Sequence, residues 1–206
     1  MTRRQFIATA AAAAAAPSVS PGLLTVPVHH VTNTRADLTP EQLRRFSSSM
    51  WPEAVRDFQR CGIELQSSQA TGEIGRSPGA RPVFKGLKRG VINLVVTDRI
   101  PMTWDYGRSL TGLSTRYEGY DLCMIALNYA HAHQIPIVSV NTCVHEILHV
   151  LLQDIFVNDP KGWRRSQREF RVDWYATRLW LFKDSAVVRQ GAQAYLERLR
   201  EDAGKI

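Results

Sequence analysis

The sequence predicts an α+β domain in which a short mixed sheet packs against one largely apolar helix. Residues 91–97 are a β-branched and apolar run, which is typical of a buried strand. Residues 141–157 begin with polar side chains that can cap a helix and continue with apolar side chains at helical spacing. The length of 206 residues gives room for one domain with a core of its own.

Residues 1–20 have the pattern of an export signal peptide. Arg3 and Arg4 are followed by the alanine-rich residues 8–16 and then by small residues. The arrangement Thr-Arg-Arg-x-Phe-Ile resembles the twin-arginine type of signal. We therefore expect a periplasmic or extracellular bacterial protein that has the twin-arginine export machinery as a partner; a disordered basic N-terminus is the alternative. The alanine-rich stretch is too short to cross a bilayer, so no stable membrane span is expected.

The composition restricts the partners and the covalent framework of the chain. The net charge of +7 is spread over small basic clusters, without aromatic residues interleaved among arginines, so no nucleic-acid partner is expected. Cys61, Cys123 and Cys143 allow at most one disulfide bond, whose pairing the sequence leaves open. Buried thiols are the expectation for all three cysteines.

The elements expected before the apolar helix follow from turn and cap residues. Residues 21–38 are rich in proline and threonine and are expected to be an arm or linker. Thr39 is expected to cap a helix that runs toward Arg60, with a kink or break at Pro52. In chain order there follow a strand at 63–66, a loop at 71–82, the strand at 91–97, a segment at 107–119 with three glycines and several hydroxyl residues and, at 122–129, a strand or a buried helix.

Residues 145–149 read His-Glu-Ile-Leu-His and carry the strongest chemical pattern in the chain. His145 and His149 are one helical turn apart and project from the same face, as two ligands of one zinc ion require. Glu146 can then reach a water on that metal as general base. The cap of this helix is expected at Ser139, Asn141 or Thr142. A pair of helical histidines with a solvated glutamate between them is the alternative.

A third ligand is needed for a catalytic zinc site. Residues 166–182 have helical periodicity, and within them Glu169 and Asp173 share one face. Two like charges on a rather apolar face are unfavourable unless a cation lies near them. Zinc on Glu169, with Asp173 accepting the other ring N–H of a ligand histidine, would resolve that conflict. The alternative is a solvated acidic pair balanced by neighbouring arginines.

These two motifs together resemble the gluzincin group of zinc metallopeptidases, in which a His-Glu-x-x-His helix precedes a helix with Glu-x-x-x-Asp. The resemblance covers residues 139–182. It implies a small zincin-like catalytic domain over 39–206, with Zn²⁺ as cofactor. The site residues that it implies are His145, His149 and Glu169 as metal ligands, Glu146 as base and acid, and Asp173 as the partner of a ligand.

The other branch of zincins, the metzincins, is disfavoured as a ligand pattern. Metzincins extend the motif with a glycine and a third histidine. The chain has Leu152 and Ile155 at those two positions. No methionine follows Met124, so the downstream methionine turn is missing as well.

The expected function is therefore that of an exported zinc metallopeptidase. Such an enzyme would hydrolyse peptide bonds of a peptide or protein substrate with a zinc-activated water and Glu146 as general base. Two alternatives stay open on sequence alone. Zinc could be structural in a catalytically inactive binding module, or the protein could be a peptidase-like regulator that acts by contact.

Overall fold

A computed structural model describes residues 22–75, 83–100, 111–128, 141–157 and 185–204. Its strands are β1 (Leu24–Asn33), β2 (Ile63–Gly72), β3 (Ile74–Gly75), β4 (Val83–Phe84), β5 (Ile92–Thr97), β6 (Gly112–Tyr117) and β7 (Tyr120–Ala126). Its helices are α1 (Pro40–Arg45), a π-helical turn (Phe46–Met50), α2 (Trp51–Arg60), α3 (Thr142–Val157) and α4 (Ala186–Ala203).

Five strands form one sheet in the order β2-β1-β5-β7-β6, and β3 and β4 form a small antiparallel pair. Neighbours among β2, β1, β5 and β7 run parallel, whereas β6 is antiparallel to β7 at the border of the sheet. The long helices α2, α3 and α4 share one hydrophobic core with this sheet. The expected fold class, an α+β domain whose mixed sheet packs against the helix with residues 145–149, is confirmed.

The two faces of the sheet carry separate hydrophobic clusters. Leu94 of β5 belongs to the large cluster, which also contains the fully buried Phe58 of α2, Leu148 of α3 and Tyr195 of α4. Val95, the next residue of β5, belongs to a smaller cluster on the opposite face, because successive strand side chains alternate. The helices therefore cover one face, and α3 lies over β6 and β7.

The expectation of an arm over residues 21–38 is wrong for Leu24–Asn33. This segment is β1, which lies between β2 and β5 and buries Val26 and Val28 in the core. Pro27 is tolerated in an inner strand because β1 pairs with β5 only from Val28 onward. At Pro27, β1 is paired with β2 but not with β5, so the N–H that proline lacks is not needed for pairing with β5.

The first helix begins where its cap residues predict. The Thr39 hydroxyl accepts a hydrogen bond from the Gln42 N–H at 3.2 Å, and the Gln42 side chain accepts one from the Thr39 N–H at 2.8 Å. The expected interruption is the π-helical turn, and Pro52 then lies in the first turn of α2.

One segment differs from the sequence expectation, and two segments that the sequence left open contain strands. β2 extends to Gly72, into the residues expected to start a loop, and residues 112–117 of the segment at 107–119 form β6. The turn between β6 and β7 places both Glu118 and Gly119 at positive φ, which suits a two-residue hairpin. In the segment at 122–129, for which a strand or a buried helix was expected, residues 122–126 belong to strand β7. None of the helices in the described ranges has the length and apolarity needed to cross a membrane.

Candidate active site

Helix α3 begins at a cap that also anchors it to the preceding helical layer. The Asn141 Oδ1 accepts hydrogen bonds from the N–H groups of Cys143 at 2.9 Å and Val144 at 3.4 Å. The Asn141 Nδ2 donates to the carbonyl of Met50 at 2.8 Å, at the end of the π-helical turn. Of the three candidate caps, Asn141 therefore has this role. It fixes the start of the helix that carries the histidines.

The apolar side chains of α3 determine which face stays accessible. Ile147, Leu148 and Leu151 are fully buried in the core shared with the sheet and α4. His145 and His149 are partly exposed. Since the rest of the turn is buried, the helix presents the two imidazoles together on its accessible side.

The two imidazoles meet at their Nε2 atoms. The Nε2 atoms of His145 and His149 are 3.0 Å apart, and the rings contact edge to face with centroids separated by 4.7 Å. Two nitrogens held about 2.0–2.1 Å from one tetrahedral zinc ion lie roughly 3.3 Å from each other. The pair therefore fits two positions of one zinc shell with little movement. An N–H···N hydrogen bond between the two rings accounts for the same distance without a metal.

Glu146 points from the same turn toward the border strand β6. Only 5% of the residue is exposed. Its Oε2 lies 2.6 Å from the hydroxyl oxygen of Ser114, and its backbone carbonyl oxygen lies 2.7 Å from the same hydroxyl. The Cys123 thiol on β7 donates to that carbonyl at 3.3 Å. The Ser114 hydroxyl thus contacts the buried carboxylate, and the Cys123 thiol contacts the backbone of the same residue, so the carboxylate is held in place, as a general base must be.

Gly112, the first residue of β6, makes room for this carboxylate. A Cβ at position 112 would lie 2.7 Å from both Cγ and Cδ of Glu146 and still closer to Oε1. Real Cβ atoms do not approach other atoms so closely. The absence of a side chain at position 112 therefore allows the glutamate to lie against the strand.

The cysteines near the site are protonated thiols. Burial raises the pKa of Cys143 to about 12, and burial likewise raises the pKa of Cys123 well above its ordinary value. Cys61, Cys123 and Cys143 are all buried and unbridged, so the expectation of buried thiols is confirmed. A protonated thiol is a poor nucleophile.

The structure brings together three of the five site residues predicted from sequence. These are His145, Glu146 and His149, while Glu169 and Asp173 lie outside the described residues. Within the described part of the chain, no group of three or more His, Cys, Asp or Glu side chains could hold a metal ion. Sequence reasoning missed Gly112 and Ser114, which reach Glu146 from a strand more than thirty positions away.

Similarity to known proteins gives no indication of the function of this chain. No family model, no curated protein and no solved structure matches the chain. The chemistry of the His145–Glu146–His149 turn and its surroundings is therefore the basis for a functional conclusion.

Proposed function

We propose that this protein is a zinc-dependent peptidase with a zincin-like domain. One observation carries the proposal. The Nε2 atoms of His145 and His149 lie 3.0 Å apart on one helical turn, and the buried carboxylate of Glu146 belongs to the same turn. Two imidazoles at ligand spacing beside a held carboxylate are the groups that metal-assisted hydrolysis needs.

The ligand set would combine the described histidines with residues predicted from sequence. His145 and His149 would hold zinc through Nε2, Glu169 would be the third protein ligand, and Asp173 would accept a ring N–H of a ligand histidine. Zinc bound there would supply Lewis-acid polarisation of the scissile carbonyl and a water of lowered pKa.

Glu146 would move the proton during hydrolysis. As the water oxygen attacks the carbonyl carbon, the Glu146 carboxylate takes one of its protons. The same carboxyl group then gives that proton to the amide nitrogen as the C–N bond breaks and the amine leaves. The contact with Ser114 and the space above Gly112 keep the carboxylate at one position throughout.

A peptide is the substrate class that the surroundings of Glu146 favour. Among the described residues, β6 forms the border of the sheet and is paired with β7. Its residues Gly112 and Ser114 contact Glu146 directly. An extended peptide that adds to a border strand uses main-chain hydrogen bonds for affinity. Its scissile bond would then pass close to the base.

We also propose that the protein is exported by the twin-arginine route. Support comes from Arg3, Arg4 and the alanine-rich residues after them, which lie outside the described residues. A tagged variant with both arginines changed to lysine should remain in the cytoplasm. Unchanged export of that variant would remove the assignment.

The peptidase proposal is tested with zinc-loaded protein and a peptide library read by mass spectrometry. The wild type should cleave peptides, and treatment with a chelator should abolish cleavage. Glu146→Gln should retain zinc but lose about a hundredfold or more in turnover, because the amide cannot accept the proton. The exposed Glu201→Gln is the matched control and should match the wild type. Wild-type turnover in Glu146→Gln would refute the mechanism.

A further inference from the structure

We propose that Ser114 is a positioning residue for Glu146, which it holds by hydrogen bonding to the carboxylate. The inference rests on the proposed function and extends it to a residue on another element. The Ser114 Oγ is 2.6 Å from Oε2 of Glu146, a distance typical of a hydroxyl donating to an ionised carboxylate. Such a bond fixes the distance between strand β6 and the reacting oxygen atoms.

The Cys123 thiol leaves the hydroxyl proton of Ser114 available for the carboxylate. The Ser114 Oγ lies 2.6 Å from Oε2 of Glu146, 2.7 Å from its carbonyl oxygen and 3.6 Å from the Cys123 sulfur, but it has one proton to donate. The Cys123 thiol, 3.3 Å from the same carbonyl, donates there. Burial raises the pKa of the Cys123 thiol, which favours the protonated, donating form. The carbonyl is thus satisfied while Ser114 donates to Oε2.

The sheet holds Ser114 rigidly in this position. Ser114 and Cys123 are direct partners in the antiparallel β6–β7 ladder, so their side chains project from the same face. That face is the one covered by α3, because Cys123 belongs to the core cluster shared with the helix. Two strands and one helix therefore fix the position of the Ser114 hydroxyl. The hydrogen bond from that hydroxyl in turn fixes the position of the Glu146 carboxylate.

The position of the carboxylate affects the chemical step more than substrate binding. A general base is effective when it lies within hydrogen-bond reach of the proton that it removes. A serine hydroxyl can both donate and accept, so the contact can persist whether or not the carboxyl carries a proton. Removal of the hydroxyl should therefore lower kcat and leave KM and zinc affinity unchanged.

The alternative is a purely structural role, in which the hydroxyl only satisfies the Glu146 carbonyl. Steady-state kinetics on a cleaved library peptide, zinc affinity and melting temperature distinguish the two roles. Ser114→Ala should lower kcat about ten- to hundredfold, with KM and zinc Kd within about twofold of the wild type. Ser114→Thr keeps the hydroxyl and should restore most of kcat.

Thr25→Val is the matched control, because it removes a strand hydroxyl that also reaches a glutamate carboxylate, Oε2 of Glu64 at 3.4 Å. Thr25 is exposed on β1, which the proposed peptide site does not use, so its variant should match the wild type. Unchanged kcat in Ser114→Ala overturns the inference while the peptidase proposal stands. The inference is also overturned if Ser114→Thr has the wild-type melting temperature but a kcat as low as that of Ser114→Ala. A wild type without zinc-dependent hydrolysis overturns both proposals.

Discussion

The Glu146 carboxylate occupies space that any side chain at Gly112 would need. The nearest atoms to a Cβ built at position 112 are Oε1, Cδ and Cγ of Glu146, all too close for a stable contact. The glycine and the glutamate are thus complementary, although thirty-three residues lie between them in the chain. The relationship links the start of the border strand to the proposed base.

Gly112→Ala should displace Glu146 without unfolding the protein. The added methyl group meets a side chain rather than backbone, so the carboxylate can move by rotation. We expect kcat to fall about tenfold or more, because the base leaves its position relative to the substrate. Zinc content should stay at the wild-type value. Peptide hydrolysis and a crystal structure of the variant check this, and an unmoved Glu146 with full turnover would contradict it.

His30 should make the protein less stable in weak acid. Burial, followed by the positive charge of neighbouring His29, lowers the pKa of His30 to about 4 in the folded protein, from 6.5. The unfolded chain therefore binds the proton more tightly, and stability falls as the pH drops from about 6.5 to about 4. The loss attributable to His30 reaches about 3 kcal/mol.

His30→Leu tests this pH dependence. The ring packs edge-on against Phe46 and Trp51, an apolar environment that a leucine can share. Urea unfolding between pH 4 and pH 7 should show a shallower pH dependence in the variant and similar stability near pH 7. An identical slope in the two proteins would show that another group carries the acid sensitivity.

Gly191 of α4 allows that helix to approach α3 closely. A Cβ there would lie 2.8 Å from both the carbonyl oxygen of Leu151 and the Cδ2 of Leu152. Gly191→Ala should lower the free energy of unfolding by about 1–2 kcal/mol, since overpacking outweighs the helix propensity gained. Gly204→Ala, whose added Cβ would have no neighbour nearer than 3.7 Å, is the control and should show no loss. Denaturant titration measures both.

Arg198 holds C-terminal helix α4 to strand β7 through a buried carboxylate. Its Nη2 lies 3.3 and 3.2 Å from the two carboxylate oxygens of Asp121, a residue that is 5% exposed. Arg198→Met should cost about 3 kcal/mol of stability, because it leaves a buried charge with weaker compensation from Arg116 at 3.9 Å. Arg200→Met, on the exposed side of α4, should cost little. Equal losses in the two variants would refute the buried-pair account.

Local chemistry explains which elements could be predicted from sequence. The caps at Thr39 and Asn141 act within three residues of their own position, and both helices begin there. Strand β1 could not be predicted from its own sequence, because its proline and threonine residues indicate a linker. Its burial depends on pairing with the distant strands β2 and β5. The β6–β7 hairpin was missed because its turn uses Glu118, where asparagine or aspartate is the usual sign.

In the candidate site as well, local features could be predicted from the sequence, whereas contacts between distant residues could not. The spacing of His145 and His149 is a property of one helix, so the sequence alone predicts their proximity. The contact of Ser114 with Glu146 depends on the register of β6 against β7 and on how α3 crosses them. No local pattern around position 114 indicates that contact. Helix α4 also went unpredicted, although it covers α3 and completes the core.

The most direct test of the central claim is a crystal structure of the zinc-loaded protein with anomalous data at the zinc edge. We predict one peak about 2.0–2.1 Å from Nε2 of both His145 and His149, with a Glu169 oxygen as the third protein ligand and one position left to solvent. A peak elsewhere would contradict the account. A shell closed by four protein ligands would make the zinc structural and would contradict the peptidase proposal.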